Sequence, residues 1–285
     1  MQIRDYSLPA GWFPRDSASV SGFLSDFDAK SNDLRRDNSR AAVAPHAGWY
    51  YSGRIAARAV SGLQPDTETV VILGGHLSAS SAPLFAMEDA VKTPFGLLLI
   101  DKELRSELIK ELDGAEDRYR DNTVEVLLPM VHYFFPKANI LWLRLPAEIE
   151  SFKTGKIISQ KAAQLKRGIN VLASTDLTHY GSNYGFSPKG SGADALRWVR
   201  EVNDAGFIKA IESANSAEAL SCAERGYAAC SAGAVLGAMG FAEAENLGNL
   251  RLLEYGTSAD SDKESVPDSF VGYAAMNTVM PQKKI

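Results

Sequence analysis

Short apolar runs, each closed by a small or polar residue, alternate along most of this chain with longer stretches in which apolar positions return every three or four residues. That alternation marks strands interleaved with amphipathic helices. The pattern predicts strands over 40–44, 69–73, 97–100, 139–145, 169–174, 249–255 and 269–278, and helices over 53–63, 102–112, 122–134, 151–166, 193–214, 216–224 and 230–243. The runs around Val70 to Leu73 and Ile169 to Ala173 are almost continuously apolar, as central strands covered on both faces must be. In 151–166, by contrast, Ile157, Ile158, Ala162 and Leu165 form one stripe among lysines and glutamines, so this helix belongs to an outer layer. Before the alternation begins, Pro9, Gly11 and Pro14 point to an extended stretch, and Val20, Phe23, Leu24 and Phe27 to a short amphipathic helix. The expected architecture is an α/β three-layer sandwich around a central mixed, mostly parallel sheet.

At 285 residues the chain is long enough to bury a substantial core. No Pro, Gly and Ser-rich linker divides it, so residues 1–285 are read as a single domain. Thirty Lys and Arg against 35 Asp and Glu are mixed along the chain, which disfavours electrostatic binding to nucleic acid or to an anionic membrane. No apolar stretch reaches spanning length, and the first residues lack the apolar segment of a signal peptide, so a cytoplasmic location is expected. The two cysteines, Cys222 and Cys230, neither form a disulfide framework nor show the paired spacing of a structural zinc site.

Candidate chemistry gathers at strand ends. Three of the four histidines follow predicted strands: His46 after 40–44, His76 after 69–73, and His179 after 169–174. In an open α/β sheet, ligands bind beyond the carboxyl ends of the strands, where side chains distant in sequence converge. Each histidine also has a plainer reading. His46, in Pro45-His46-Ala47-Gly48-Trp49-Tyr50-Tyr51-Ser52-Gly53, is either a site residue or a partner of its own turn, with Gly53 opening the next helix. His76, after Gly74-Gly75, is either a ligand or part of a strand-to-helix turn. Asp176 precedes His179 by three residues, which on a helical turn lets the carboxylate orient the imidazole as an acid/base group; otherwise Asp176 is a helix cap beside an exposed histidine. Cys230 opens a helix of small residues, whose positive end lowers a thiol's pKa and suits a ligand or nucleophile. Cys222 reads as a small core residue, and His132, on an aromatic helix end, as packing or capping. Glu125, an acid in an apolar run, needs a partner, either a histidine of the site or an arginine of the fold.

Taken together, these segments resemble the Memo-like family, known in prokaryotes as AmmeMemoRadiSam system protein B. The resemblance is carried by Ala10-Gly11-Trp12-Phe13-Pro14, by the stretch from Ala44 to Gly53, by Gly75-His76, by Ser174-Thr175-Asp176-Leu177-Thr178-His179-Tyr180-Gly181, and by Tyr255-Gly256-Thr257-Ser258 with Val271-Gly272-Tyr273-Ala274-Ala275. It implies a fold similar to class III extradiol dioxygenases, in which two histidines and a cysteine replace the two-histidine, one-carboxylate iron ligands. His46 and His76 match the histidines, Cys230 the cysteine, and His179 with Asp176 the supporting or catalytic pair. The chain departs from the family where Asn122-Thr123-Val124-Glu125 replaces a His-Ser-x-Glu pattern, and where Leu77 follows His76; both changes imply a less polar site.

The expectation that follows is a metal-dependent redox enzyme acting on a small organic molecule, with Fe(II) on His46, His76 and Cys230 and open positions for O2 and substrate. Thiolate softness makes copper or zinc competitors to iron. In this reading His179 moves protons, Asp176 fixes its tautomer, Glu125 assists, and Trp49, Tyr50 and Tyr180 wall an aromatic pocket beneath a loop from Tyr180 to Gly192. The alternatives are a metal-free Cys-His hydrolase, with Cys230 as nucleophile and His46 or His179 as base, and a non-catalytic module that binds a peptide or a partner protein in the same pocket.

Overall fold

The computed structural model describes residues 1–30, 38–261 and 265–278. Its strands are β1 (Ile3–Arg4), β2 (Ala41–Ala44), β3 (Thr69–Leu77), β4 (Leu84–Phe85), β5 (Ala90–Thr93), β6 (Gly96–Leu99), β7 (Ala115–Glu116), β8 (Asn139–Pro146), β9 (Ile169–Ser174), β10 (His179–Gly181), β11 (Leu250–Thr257) and β12 (Ser269–Thr278). Its helices are α1 (Ser17–Lys30), α2 (Trp49–Ser61), α3 (Lys102–Leu112), α4 (Asn122–Glu125), α5 (Leu128–Phe134), α6 (Glu150–Gln164), α7 (Ala193–Trp198), α8 (Ala205–Glu212), α9 (Ser216–Gly226) and α10 (Ala232–Ala244). Among the described residues, nine strands form one sheet in the order β10-β12-β2-β9-β3-β8-β4-β7, with β11 paired to β12; β1, β5 and β6 form a small separate sheet.

Side-chain alternation along the central strands produces the three layers. Ala42, Ala44, Val70, Ile72, Ile140, Trp142 and Leu172 point to one face, where α1, α2, α4 and α5 cover them. Their neighbours Ala41, Val43, Val71, Leu73, Leu141, Leu143 and Val171 point to the other, against α3, α6, α8, α9 and α10. Each fully buried Val, Leu or Ile among them contributes about 1.5–3 kcal/mol relative to exposure. The mostly parallel character expected of the sheet holds for its centre, where β2, β9, β3 and β8 run together. The flanks depart from it, because β12 is antiparallel to β2, β10 and β11, and β4 to β8.

Three predicted helices differ from those observed, each for a local reason. The segment expected over 122–134 divides into α4 and α5, because Pro129 supplies no N–H to continue the ladder. The segment over 193–214 is interrupted by a π turn at Val199–Asp204. The helix assigned from Gly53 starts four residues earlier, at Trp49, with Gly48 as its cap. Gly53 lies mid-helix under the Phe23 ring, where a Cβ would come within 2.9 Å of Phe23 Cζ.

The parallel centre aligns the carboxyl ends of β2, β3 and β9, with Ala44 opposite Ser174 and Leu73 opposite Ala173. Helix α10, buried from Ala232 to Ala242, crosses beneath these strands. Gly75 and Ser231 meet at the crossing, and a Cβ on Gly75 would overlap the Ser231 side chain. That close approach delivers Cys230 to the end of β3.

Candidate metal centre

His46 stands two residues past β2 and is buried, at 1% exposure. Its backbone N–H donates to Asp176 Oδ1 at 2.7 Å, and its carbonyl accepts from Asn122 Nδ2 at 3.0 Å. Its ring Nδ1 lies 2.9 Å from Ser174 Oγ, and Nε2 3.2 Å from Cys230 Sγ. His76, next to last in β3, has φ +57°, and its Nδ1 lies 2.9 Å from Asp121 Oδ2. The two imidazoles meet edge to face at 5.1 Å. Cys230 is held on the other side by its N–H, which donates to Asp176 O at 3.2 Å, while the next N–H, of Ser231, donates to Thr175 Oγ1 at 3.1 Å. The structure thus brings together His46, His76 and Cys230, whose donor atoms all lie within 4.8 Å of one another.

The electrostatics of this cluster run against its burial. Burial alone would raise the Cys230 thiol, but the His46 and then the His76 imidazoles hold it well below the ordinary thiol range. Burial alone would lower His46, and the Cys230 sulfur with the Asp176 carboxylate raises it instead. His76 is likewise pushed up to about 10 against burial, chiefly by its hydrogen bond to Asp121. Asp121 falls to about 2 against burial, through His76 and Thr123. A thiolate between two imidazoles is a ready ligand set, since a metal binds deprotonated sulfur.

Asp176 and His179 do not share a helical turn. The chain from Thr175 to Thr178 is irregular, and His179 begins β10 opposite Val271. Asp176 Oδ2 instead sits 3.9 Å from Nε2 of both His46 and His179, between the cluster and the cleft. Burial raises the Asp176 carboxyl, opposed by the two imidazoles. The His179 side chain, 31% exposed, packs its ring 4.9 Å from that of Tyr184.

This segment is tied down by Asp204, buried at the end of the π turn, which accepts from Thr178 N at 3.1 Å and Tyr255 OH at 2.8 Å. Burial raises its carboxyl from 3.8 to about 6, with the Thr178 and Tyr255 hydrogen bonds opposing. The folded protein therefore holds this proton more tightly than the unfolded chain. The resulting stability is whole below 3.8 and is lost as pH rises through about 6. Between pH 4 and 7 the wild type should lose roughly 2–3 kcal/mol relative to Asp204→Asn. Urea unfolding of both proteins across that range checks this, and a pH-independent difference contradicts it.

Beside the cluster opens a cleft of about 860 Å³, bordered by His46, His76, Asp176 and His179. Its aromatic wall is Trp12, Tyr50, Tyr51, Tyr184 and Tyr273. Of the three aromatic residues expected there, only Tyr50 borders it. Trp49 is turned into the core, donating Nε1–H to Val126 O at 3.0 Å and packing against Phe23 at 5.0 Å, because successive helical residues point about 100° apart. Tyr180 is fully buried, stacked on Phe270 at 5.1 Å, since strand alternation sends it to the face opposite His179. In the Tyr180 to Gly192 stretch it is Tyr184 that reaches the cleft.

Residues 4–277 match the family described as Memo-like protein. The chain belongs to the Memo-like family. A MEMO1 family protein of Pyrococcus abyssi is 30% identical, over 95% of this chain and 98% of that protein. Those of Pyrococcus furiosus and Pyrococcus horikoshii are 31% and 27% identical, over 95% and 96% of this chain and 97% and 99% of theirs.

In this Memo-like chain the departures from the family pattern take structural roles. Asn122 borders the cleft and holds the His46 carbonyl. Leu77 pairs beside Pro146 on the sheet and does not border the cleft. Glu125, expected to assist catalysis, lies outside the cleft. Its carboxylate accepts from Ser7 N at 2.8 Å and Leu8 N at 3.1 Å, with Arg15 at 3.7 Å, so its partners are backbone and an arginine of the fold. It anchors the segment leading to Trp12, whose carbonyl accepts from Trp49 N at 2.8 Å. Cys222 lies on α9, and His132 is buried with Nδ1 2.6 Å from Thr93 Oγ1. Among the described residues, no helix is long and apolar enough to cross a membrane.

Proposed function

We propose that this Memo-like protein is a metal-dependent oxidoreductase, with a pocket like that of class III extradiol dioxygenases, acting on a small organic substrate bound in the aromatic cleft. The observation that supports this reading is the convergence of His46, His76 and Cys230 donors within 4.8 Å. In a tetrahedral or facial set, donors at 2.0–2.3 Å from one first-row metal stand about 3–3.8 Å apart, so the cluster would hold the ion after closing by about 1 Å. Two imidazoles and a thiolate suit iron, copper or zinc, and Fe(II) is favoured for redox work. A metal held there supplies a Lewis-acidic, redox-active centre.

The chain's own residues do the remaining work. His179, at the cleft edge, gives or takes a proton, and Asp176, 3.9 Å from its Nε2, balances the charge of the ring. Trp12, Tyr50 and Tyr184 offer flat faces to a ring or an alkyl body. Anaerobic purification with metal analysis tests the reading. About one equivalent of metal per chain is expected, whereas a protein that neither carries nor takes up a first-row metal overturns it.

The second reading, a Cys-His hydrolase, draws on the 3.2 Å contact between Cys230 Sγ and His46 Nε2 and on the lowered thiol. Activity that survives chelation but is lost on alkylating Cys230 would select it. A pocket that binds a peptide or a partner protein without turnover is the reading left if neither activity is found.

A further inference from the structure

Strand geometry does not by itself aim the His76 ring at Cys230. His76 adopts a left-handed backbone at φ +57°, which a side-chain-bearing residue holds only when its surroundings over-determine it. Its surroundings form one buried charged chain. Arg144, 3% exposed on β8, donates from Nε to the carbonyl of Gly75 at 2.9 Å, immediately before His76. A second nitrogen of the same guanidinium stands 3.3 Å from Asp121 Oδ2, the oxygen that faces His76 Nδ1 at 2.9 Å. The third side is closed by Asp117, fully buried, 3.2 Å from Arg144 Nη1 and accepting from Trp142 Nε1 at 3.0 Å.

We infer that Asp121 is the positioning residue of the centre: its Oδ2, braced by Arg144, takes the Nδ1 side of His76 and commits Nε2 to the ligand cluster. This rests on the metal-dependent reading for its functional consequence. The two carboxylate oxygens of Asp121 do separate jobs. Oδ1 caps α4 by accepting from Thr123 N at 2.8 Å and from the Thr123 hydroxyl, and Oδ2 serves His76. His46 is held differently, since its Nδ1 faces the neutral hydroxyl of Ser174. A carboxylate behind an imidazole raises its donor strength and fixes its ring, so His76 is the stronger donor of the pair.

The separate jobs give a separable test. Asp121→Ser keeps an oxygen able to cap α4 but is too short to reach His76, while Asp121→Asn keeps a single oxygen, which serves either the cap or His76 Nδ1–H, and no charge. Co²⁺ titration of metal-free protein, followed by visible absorption, should show affinity weakened ~10–100-fold in Asp121→Ser and weakened also in Asp121→Asn, which loses the charge and one of the two oxygens. In the metal-free proteins the hydrogen-bonded Nδ1–H proton of His76, seen by NMR in the wild type, should vanish in Asp121→Ser. Wild-type Co²⁺ affinity and spectrum in Asp121→Ser overturn the inference. So does full affinity in Asp121→Asn, which carries the test if the Ser variant fails to fold. A wild type that takes up no Co²⁺ yet loses the Nδ1–H signal in Asp121→Ser defeats the metal reading while leaving the positioning role standing.

Discussion

Replacing His76 or Cys230 with alanine should abolish binding of the proposed metal, and replacing His132 with alanine should not. Loss of a direct donor from a three-donor set should weaken metal binding by more than the ~10–100-fold that follows loss of a supporting partner. His46 belongs to the same set, but removing its ring also takes the partner from Ser174 Oγ and the imidazole from beside Asp176 Oδ2, so the His76 variant gives the cleaner measurement. His132 is the proper contrast. It lies on α5, outside the cleft, with its Nδ1 on Thr93 and its ring 5.7 Å from that of Phe95, and burial lowers its pKa. Truncating it costs stability through lost packing without touching a donor. Metal content after gel filtration, together with a thermal melt of each variant, checks the contrast. Equal metal loss from His76→Ala and His132→Ala would mean that instability, not ligation, governs the metal.

The strand ends were legible because strand burial leaves a plain mark: continuous apolar runs at 70–73 and 169–173 can only be central, and whatever follows them lies at the sheet's carboxyl edge. That reasoning placed His46 and His76 on one edge, and the family resemblance added Cys230. What failed was direction. Trp49 and Tyr50 are neighbours in sequence yet point to core and cleft, and Tyr180 is divided from His179 by one step of strand alternation. Assigning either required a helix start and a strand register that composition does not fix: α2 begins at Trp49 rather than Gly53, and β10 exists only because His179 and Gly181 find partners on β12. Asp121 carried no signal at all. Its only local mark is capping spacing to Thr123, and its partner His76 is 45 residues away. Glu125 did announce itself as a buried acid, but burial cannot say which of two partners satisfies it, and the answer came from Ser7, Leu8 and Arg15 more than a hundred residues distant.

Of the residues at the cleft, His179 is expected to govern turnover rather than metal content. It borders the cleft beside the cluster without belonging to it, and its ring is sandwiched between Tyr184 and the Asp176 carboxylate. Asp176 is shared: one oxygen accepts the His46 backbone N–H at 2.7 Å, while the other stands 3.9 Å from both imidazole Nε2 atoms. A proton taken up by His179 thus sits beside a carboxylate already fixed to the ligand cluster, an arrangement suited to general acid–base work at the cleft face. If the protein turns over a substrate, His179→Ala should lower the rate ~10²–10⁴-fold, the usual contribution of such a group. Metal content should hold, because His46, His76 and Cys230 keep their contacts to Ser174, Asp121 and Asp176. Steady-state rates and metal analysis on the same preparation separate the alternatives. Stoichiometric metal loss makes His179 a ligand, and an unchanged rate leaves it as the first residue of a strand that happens to face the cleft.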